Sequence, residues 1–299
     1  MRLPLLSLSF CICFIAVAYG QEGSFPAGRG SAATLHNLPD SGYPYALIAG
    51  GSKGIGFAIA EALAKRRFNL VLVARGRDSL EKARRFLSST YNVHVETLSY
   101  DLSEKRSVDS VAKWCLDRQL PLKMLCNVAG LGGTKDYLSL PVDSIRYMID
   151  LNISSGMALV QHLLPLLSQQ APSYILNVGS MAAFAPIPQK NMYAATKAAV
   201  LFFSYALRYQ IKEKDISVSC LTPGPVFTKP EIRQDTEKRL GFIGRMMAVP
   251  PKRVGEIAVR KTLSGKMIIV PGTLAKVFSG FLRIMPRRWA AAGYSQFGG

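Results

Sequence analysis

The chain has 299 residues, is 49% hydrophobic, and carries 37 Lys or Arg against 19 Asp or Glu for a formal charge of +18. That apolar content excludes wholesale disorder and suffices for the core of one large α/β domain, and no repeat or heptad run points to a solenoid or a long coiled coil. The charge favours anionic partners without choosing among phosphorylated cofactors, CoA-like substrates, acidic lipid and nucleic acid.

After Arg2 an uncharged run, residues 3–20, ends in Ala18-Tyr19-Gly20 ahead of Gln21. One cation, an apolar core and small residues at a cleavage position read as a secretory signal peptide. The run also approaches the roughly 17–25 residues of a spanning helix, so a membrane anchor competes with that reading. Both imply a membrane-associated or secretory/lumenal protein. A mis-assigned start, leaving a cytoplasmic protein, is the third alternative. Residues 21–42 hold four Gly and two Pro and read as a linker.

From residue 43 onward, short apolar runs fall at residues 45–49, 70–74, 93–98, 122–126, 174–178, 216–221 and 267–270. Segments of helical period separate them. Ile55, Ile59, Ala62 and Leu63, for instance, stand at i, i+4, i+7 and i+8. Continuous apolar strands alternating with helices predict an α/β fold with a doubly wound, parallel, seven-stranded sheet, Rossmann-like, in a single domain over residues 43–299. The stretch without a strand before residue 267 is expected to form a helical flap over the site, at about residues 229–249.

The first strand runs into Gly50-Gly51-Ser52-Lys53-Gly54-Ile55-Gly56, with a helix following. Such a turn lets backbone approach a pyrophosphate while the helix start supplies N–H donors. It is not a Walker A loop, because no Gly precedes Lys53 and no Ser or Thr follows it. The second strand ends at Ala74-Arg75, where an NAD site usually places a carboxylate for the ribose 2′-hydroxyl. The nearest, Asp78, is already in the next helix. Arg75 and Lys53 suit a 2′-phosphate instead, so NADP(H) is expected rather than NAD(H).

Downstream, Asn127-Val128-Ala129-Gly130 closes the fourth strand, Asn152 lies within a long helix at residues 142–167, and Ser180 follows the fifth strand. Tyr193 and Lys197 stand four apart on a second long helix at residues 191–212, and Pro223-Gly224-Pro225-Val226-Phe227-Thr228 closes the sixth strand. The five cysteines and three histidines show no ligand spacing, so no metal site is expected. Ser180 lacks the Gly-x-Ser-x-Gly setting of a nucleophile elbow. Asp143 and Asp150 read as a solvated face.

These motifs in this order resemble the short-chain dehydrogenase/reductase family over residues 43–270, most of all its NADPH-dependent ketoacyl and hydroxysteroid reductases. The resemblance implies a catalytic set of Tyr193, Lys197, Ser180 and Asn152. It also implies NADP(H) contacts at Gly50, Ser52, Lys53, Gly54, Ile55, Gly56, Arg75, Asp101, Leu102, Asn127, Ala129, Gly130, Tyr193, Lys197, Pro223, Gly224, Val226 and Thr228. Ala49 and Val128 depart from the family's usual Thr and Asn. In the mechanism so implied, Tyr193 is the general acid for ketone reduction, its pKa lowered by Lys197 and by an oxidised nicotinamide. Ser180 donates to the developing oxyanion, and Asn152 orients a water toward Lys197. The expected substrate is a small lipophilic carbonyl, such as a 3-oxoacyl thioester or a steroid. An NADP-dependent alcohol dehydrogenase working in oxidation is the alternative, and the family resemblance suggests a homodimer or homotetramer.

Between residues 229 and 289 there are fourteen Lys or Arg and four Asp or Glu. Aromatic residues do not interleave with these cations as a single-strand nucleic-acid groove requires, so no nucleic-acid partner is expected. Residues 274–289 combine Leu, Val, Phe and Ile with Lys and Arg. They suit either an acidic bilayer surface or a helix packed on the core, with Pro286 ending any helix there. A non-catalytic basic protein that binds anionic lipid or nucleic acid is a further alternative.

Overall fold

The computed structural model describes residues 42–132, 137–227 and 248–296. Seven parallel strands form one sheet in the order β3-β2-β1-β4-β5-β6-β7. They are β1 (Tyr45–Ala49), β2 (Asn69–Ala74), β3 (Val95–Ser99), β4 (Leu122–Asn127), β5 (Ser173–Val178), β6 (Ile216–Leu221) and β7 (Ile268–Ile269). The helices are α1 (Gly54–Ala64), α2 (Arg77–Tyr91), α3 (Lys105–Asp117), α4 (Val142–Ile149), α5 (Ser155–Gln169), α6 (Asn191–Gln210), α7 (Pro251–Leu263), α8 (Thr273–Ile284) and α9 (Arg287–Gln296).

Every residue of β1 is buried, because helices cover both faces of the sheet. Ile48, Leu63, Leu72 and Val259 belong to one core cluster. Leu47, Val71, Leu125 and Leu163 belong to the other. Ile48 pairs with Leu72 on one side and Cys126 on the other, so the carboxyl ends of β1, β2 and β4 lie together. Strand order reverses between β1 and β4, and a crevice for ligands opens outside such a switch point.

Two expectations are corrected. The third strand begins at Val95, not at residue 93, because Asn92 turns left-handed (φ 52°) and the His94 amide donates to Asn69 Oδ1 at 3.0 Å. The single helix expected over residues 142–167 is two helices joined by a π-type turn, Asp150–Ser154, with Asn152 at its centre. The leader 1–20, the linker to residue 41, Thr228 and the flap to residue 247 lie outside the described residues. Among the described residues, no helix is long and apolar enough to cross a membrane.

Candidate active site

The turn after β1 is built on backbone contact. Gly50 adopts φ 90°, and a Cβ there would lie 2.7 Å from Ala129 N. A Cβ on Gly56 would lie 2.8 Å from Gly50 C and overlap the Gly50 oxygen. The amides of Val128 and Ala129 both donate to Ala49 O, at 2.9 and 2.7 Å, which ties the turn after β4 to the turn after β1. Ala49 and Val128 thus serve here through backbone atoms. No side chain caps the start of α1 and its first turn holds no carboxylate, so the N–H donors of Gly54, Ile55 and Gly56 remain for an anion. Ser52 is half-buried and Lys53 exposed at this end. With no Cβ at Gly50 or Gly56, the cradle leaves these donors open to an anionic group.

At the end of β2, Arg75 is 66% exposed, so its guanidinium can meet a ligand phosphate. Its Nη1 donates to the Tyr147 hydroxyl at 2.7 Å and lies 3.6 Å from Asp101 Oδ2. Asp101 Oδ1 accepts from the Ser103 amide and hydroxyl. Burial works to raise the Asp101 pKa, but these bonds and the Arg75 charge win, and the carboxyl stays below its ordinary value. Tyr147, on α4, is a residue that sequence reasoning missed. It belongs to no motif, and only the fold brings its hydroxyl to Arg75 and to within 3.5 Å of Asp101 Oδ2.

The four expected catalytic residues come from β5, α6 and the π-type turn, and the fold brings them together. Ser180 Oγ accepts from Ala182 N at 3.1 Å, capping a short 3₁₀ turn, Met181–Phe184. Its hydroxyl hydrogen is left to donate, and it bonds with the Tyr193 phenol. Asn152 is buried with its side chain fully engaged. Its Oδ1 accepts from Leu131 N at 2.7 Å, while Nδ2 donates to Leu131 O and to Thr196 Oγ1, each at 3.0 Å. Asn152 therefore clamps the chain beyond β4 onto α6. A Cβ on Gly130 would lie 3.1 Å from Asn152 Oδ1 and 3.3 Å from Lys197 Nζ, so a side chain there would press on both groups.

Lys197 is buried, and its Nζ donates to Val178 O at 2.8 Å and lies 5.9 Å from the Tyr193 ring centre. Two consequences differ from expectation. Burial pushes the Tyr193 pKa up, only partly offset by the Ser180 bond, whereas proximity to Lys197 was expected to lower it. The ammonium donates to a strand carbonyl and stands 5.9 Å from the centre of the Tyr193 ring. Burial also brings the Lys197 pKa from 10.5 down to about 8.

A pH prediction follows from Lys197. A base whose folded pKa lies below its unfolded value costs stability while it is charged, at pH below about 8, and that cost fades as pH rises toward 10.5. Between those values the unfolded chain binds more protons. Wild-type stability should therefore gain on that of Lys197→Met by up to about 3 kcal/mol across this range. Denaturant melts of both proteins from pH 7 to about pH 10.5 check this, and parallel curves would refute it.

Beside the Tyr193 phenol opens a cleft of about 390 Å³, walled by Leu131, Leu140, Met148 and Met192 and edged by Tyr147 and Ser144. The remaining expected cofactor residues divide by burial. Pro223 is buried and its carbonyl accepts from Met181 N at 3.0 Å, which links the turn after β6 to the Ser180 turn. Leu102 and Val226 are buried within the two core clusters, so only their backbone atoms are free to face a ligand. Ile55 packs against the core. Asn127 donates to Asn177 Oδ1 at 2.9 Å and to Gly156 O at 3.2 Å, bracing β4 from within.

Residues 44–239 match the family model of the short chain dehydrogenases. The chain is 36% identical over 188 residues to hydroxysteroid dehydrogenase-like protein 1 of Gallus gallus, covering 62% of this chain and 56% of that one. It is 32% identical over 197 residues to very-long-chain 3-oxoacyl-CoA reductase-A of Danio rerio, covering 64% and 61%. The chain thus spans less than two thirds of the length of these relatives. Among solved structures, a short-chain dehydrogenase from Sphingobium yanoikuyae in complex with NADPH superposes with a TM-score of 0.68 at 26% identity, covering 84% of this chain and all of that one. L-sorbose reductase from Gluconobacter frateurii, complexed with NADPH and L-sorbose, gives 0.69 at 25%, covering 78% and 97%.

Proposed function

The chain belongs to the short chain dehydrogenase family, and on that premise we propose that it is an NADP(H)-dependent oxidoreductase that reduces a lipophilic ketone or aldehyde to the alcohol. The observation that carries this reading is the Tyr193 phenol, bonded to Ser180, at an apolar cleft whose Leu131 wall continues the turn held against the glycine cradle. The 3-oxoacyl thioesters and steroids named for its relatives fit the chemistry of the Leu131, Met148 and Met192 walls.

The cradle around Gly50 and Gly56 would hold the pyrophosphate, and Arg75 with Lys53 would hold the 2′-phosphate. When bound, the reduced nicotinamide supplies hydride to the carbonyl carbon. Ser180 would turn its hydroxyl hydrogen, bonded to the Tyr193 phenol when no substrate is present, to the carbonyl oxygen as negative charge develops. Tyr193 then transfers its phenolic proton to that oxygen. Burial holds the Tyr193 pKa above its ordinary value, so the phenol enters the reaction protonated, as a general acid must. Lys197 places a positive charge at the inner end of the site, and Asn152 holds the Leu131 backbone that forms one cleft wall.

The direct test measures NADPH consumption by the purified chain against panels of ketones, aldehydes and 3-oxoacyl thioesters. Turnover of a lipophilic member supports the reading, and none across the panels with cofactor demonstrably bound overturns it. Arg75→Asp should shift relative catalytic efficiency from NADPH toward NADH by at least about tenfold, because the new carboxylate repels a phosphate and accepts from a 2′-hydroxyl. An unchanged ratio would remove Arg75 from phosphate recognition. Assembly as a homodimer or homotetramer through the long helices is part of the same reading. Phe202 and Tyr209, 69% and 74% exposed on α6, are the side chains that support it. The leader makes a membrane-associated or lumenal location part of the proposal, with NADPH supplied in an enclosed compartment.

A further inference from the structure

We infer that α8 is a docking face for an anionic bilayer surface, set against the turn that carries Ser180. The helix has two apolar faces. Ala275, Ser279 and Leu282 are buried against the core. Leu274, Val277, Phe278, Phe281 and Ile284 recur at i, i+3, i+4, i+7 and i+10 on another face, and all are exposed, Val277 at 68% and Ile284 at 81%. A soluble helix packed on a core needs only the first face.

Charge selects the occupant. Lys276 and Arg283 stand on α8 between its buried face and the Ile284 edge of the stripe, Arg287 and Arg288 follow at the start of α9, and all four are exposed. From residue 257 to the end of the chain there are seven Lys or Arg and no Asp or Glu. An exposed apolar stripe on a helix whose charged residues are all cations is the pattern of a helix lying in the headgroup region of an acidic membrane. A second copy of the chain is disfavoured on this face, because a two-fold contact would set the same cations against each other.

The position of α8 gives the docking a use. Arg283 stacks over the Phe184 ring at 4.4 Å, and Arg287 Nη1 donates to Phe184 O. Phe184 ends the 3₁₀ turn that Ser180 caps. The bilayer face is therefore one helix away from the catalytic turn, so a carbonyl dissolved in lipid has a short route to the cleft. The docking stands without the reductase reading; the substrate route rests on it.

The test places an indole reporter on the stripe of the full chain, as Ile284→Trp, and measures quenching by brominated lipids in vesicles. Strong quenching in brominated phosphatidylglycerol vesicles is expected, weaker in phosphatidylcholine and reduced by salt. Adding Val277→Gln and Phe281→Gln should lower the partition of the reporter by more than about tenfold. A site-specific reporter separates this contact from any made by the leader. No quenching of the added indole signal over the parent, or quenching unchanged by the two glutamines, would overturn the proposal. So would a stripe variant that converts a dimer to a monomer in sedimentation, which would assign the face to a second copy. If docking holds, Val277→Gln/Phe281→Gln should lower kcat/KM for a bilayer-dissolved ketone and leave a water-soluble one unchanged. Loss of neither, with docking intact, would reject the substrate route alone, and absence of all NADPH turnover would reject the reductase reading alone.

Discussion

Replacement of Tyr193 by Phe should lower turnover by roughly 10²–10⁴-fold while leaving the affinity for NADPH nearly unchanged. The variant removes one hydroxyl and almost no volume, so α6 keeps its packing. Thr196 Oγ1 still donates to the backbone carbonyl of residue 193, and Lys197 still donates to Val178 O. What is lost is the transferable proton and the partner of Ser180. The loss should fall on kcat, because the proton is needed when charge develops on the carbonyl oxygen and not when the substrate binds. Cofactor titration by fluorescence, beside steady-state kinetics, reads the two quantities separately. Turnover equal to that of the wild type would remove Tyr193 from the chemistry. An equal loss of cofactor affinity would mean that the phenol holds the site's shape instead.

The second large effect is expected at Gly56. In Gly56→Ala the new methyl group would overlap the Gly50 carbonyl oxygen and press within 2.8 Å of its carbon. Gly50 cannot retreat, since its own Cα faces Ala129 N and the turn is tied through Ala49 O to residues 128 and 129. The obstacle is backbone on every side, so relief requires α1 to shift from β1. That shift moves the N–H groups which receive the pyrophosphate. NADPH affinity should fall by more than about tenfold, and stability by about 1–3 kcal/mol from overpacking. Calorimetric titration and a thermal melt check both. Wild-type affinity in the alanine variant would show that the pyrophosphate does not sit on this cradle.

Elements with a strong local signal were legible in the chain. The seven apolar runs became the seven strands, shifted by a residue or two at their ends, because a strand covered on both faces must be apolar throughout. The glycine turn was legible because close backbone approach admits no other residue at Gly50 and Gly56. Tyr193 and Lys197 were singled out by their place in the family's order of motifs, since their spacing alone is common. The π-type turn at Asp150–Ser154 was not, since its residues continue the same apolar period as the helices around it. The widened turn answers a tertiary demand, which is to bring Asn152 into reach of both Leu131 and Thr196.

The sequence by itself determined the architecture and nominated the glycine cradle and the four candidate residues Asn152, Ser180, Tyr193 and Lys197, because each is encoded in residues close along the chain or in a fixed order of motifs. The tertiary structure alone decided the protonation behaviour of Tyr193 and Lys197, since burial and the direction of the Lys197 Nζ bond to Val178 O depend on β5 and α6 meeting. It alone brought Tyr147 to Arg75 across seventy-two positions of sequence. It also decided which apolar face of α8 is packed and which is bare. Periodicity gives a helix its faces, but only the elements packed against it determine which of them meets the solvent.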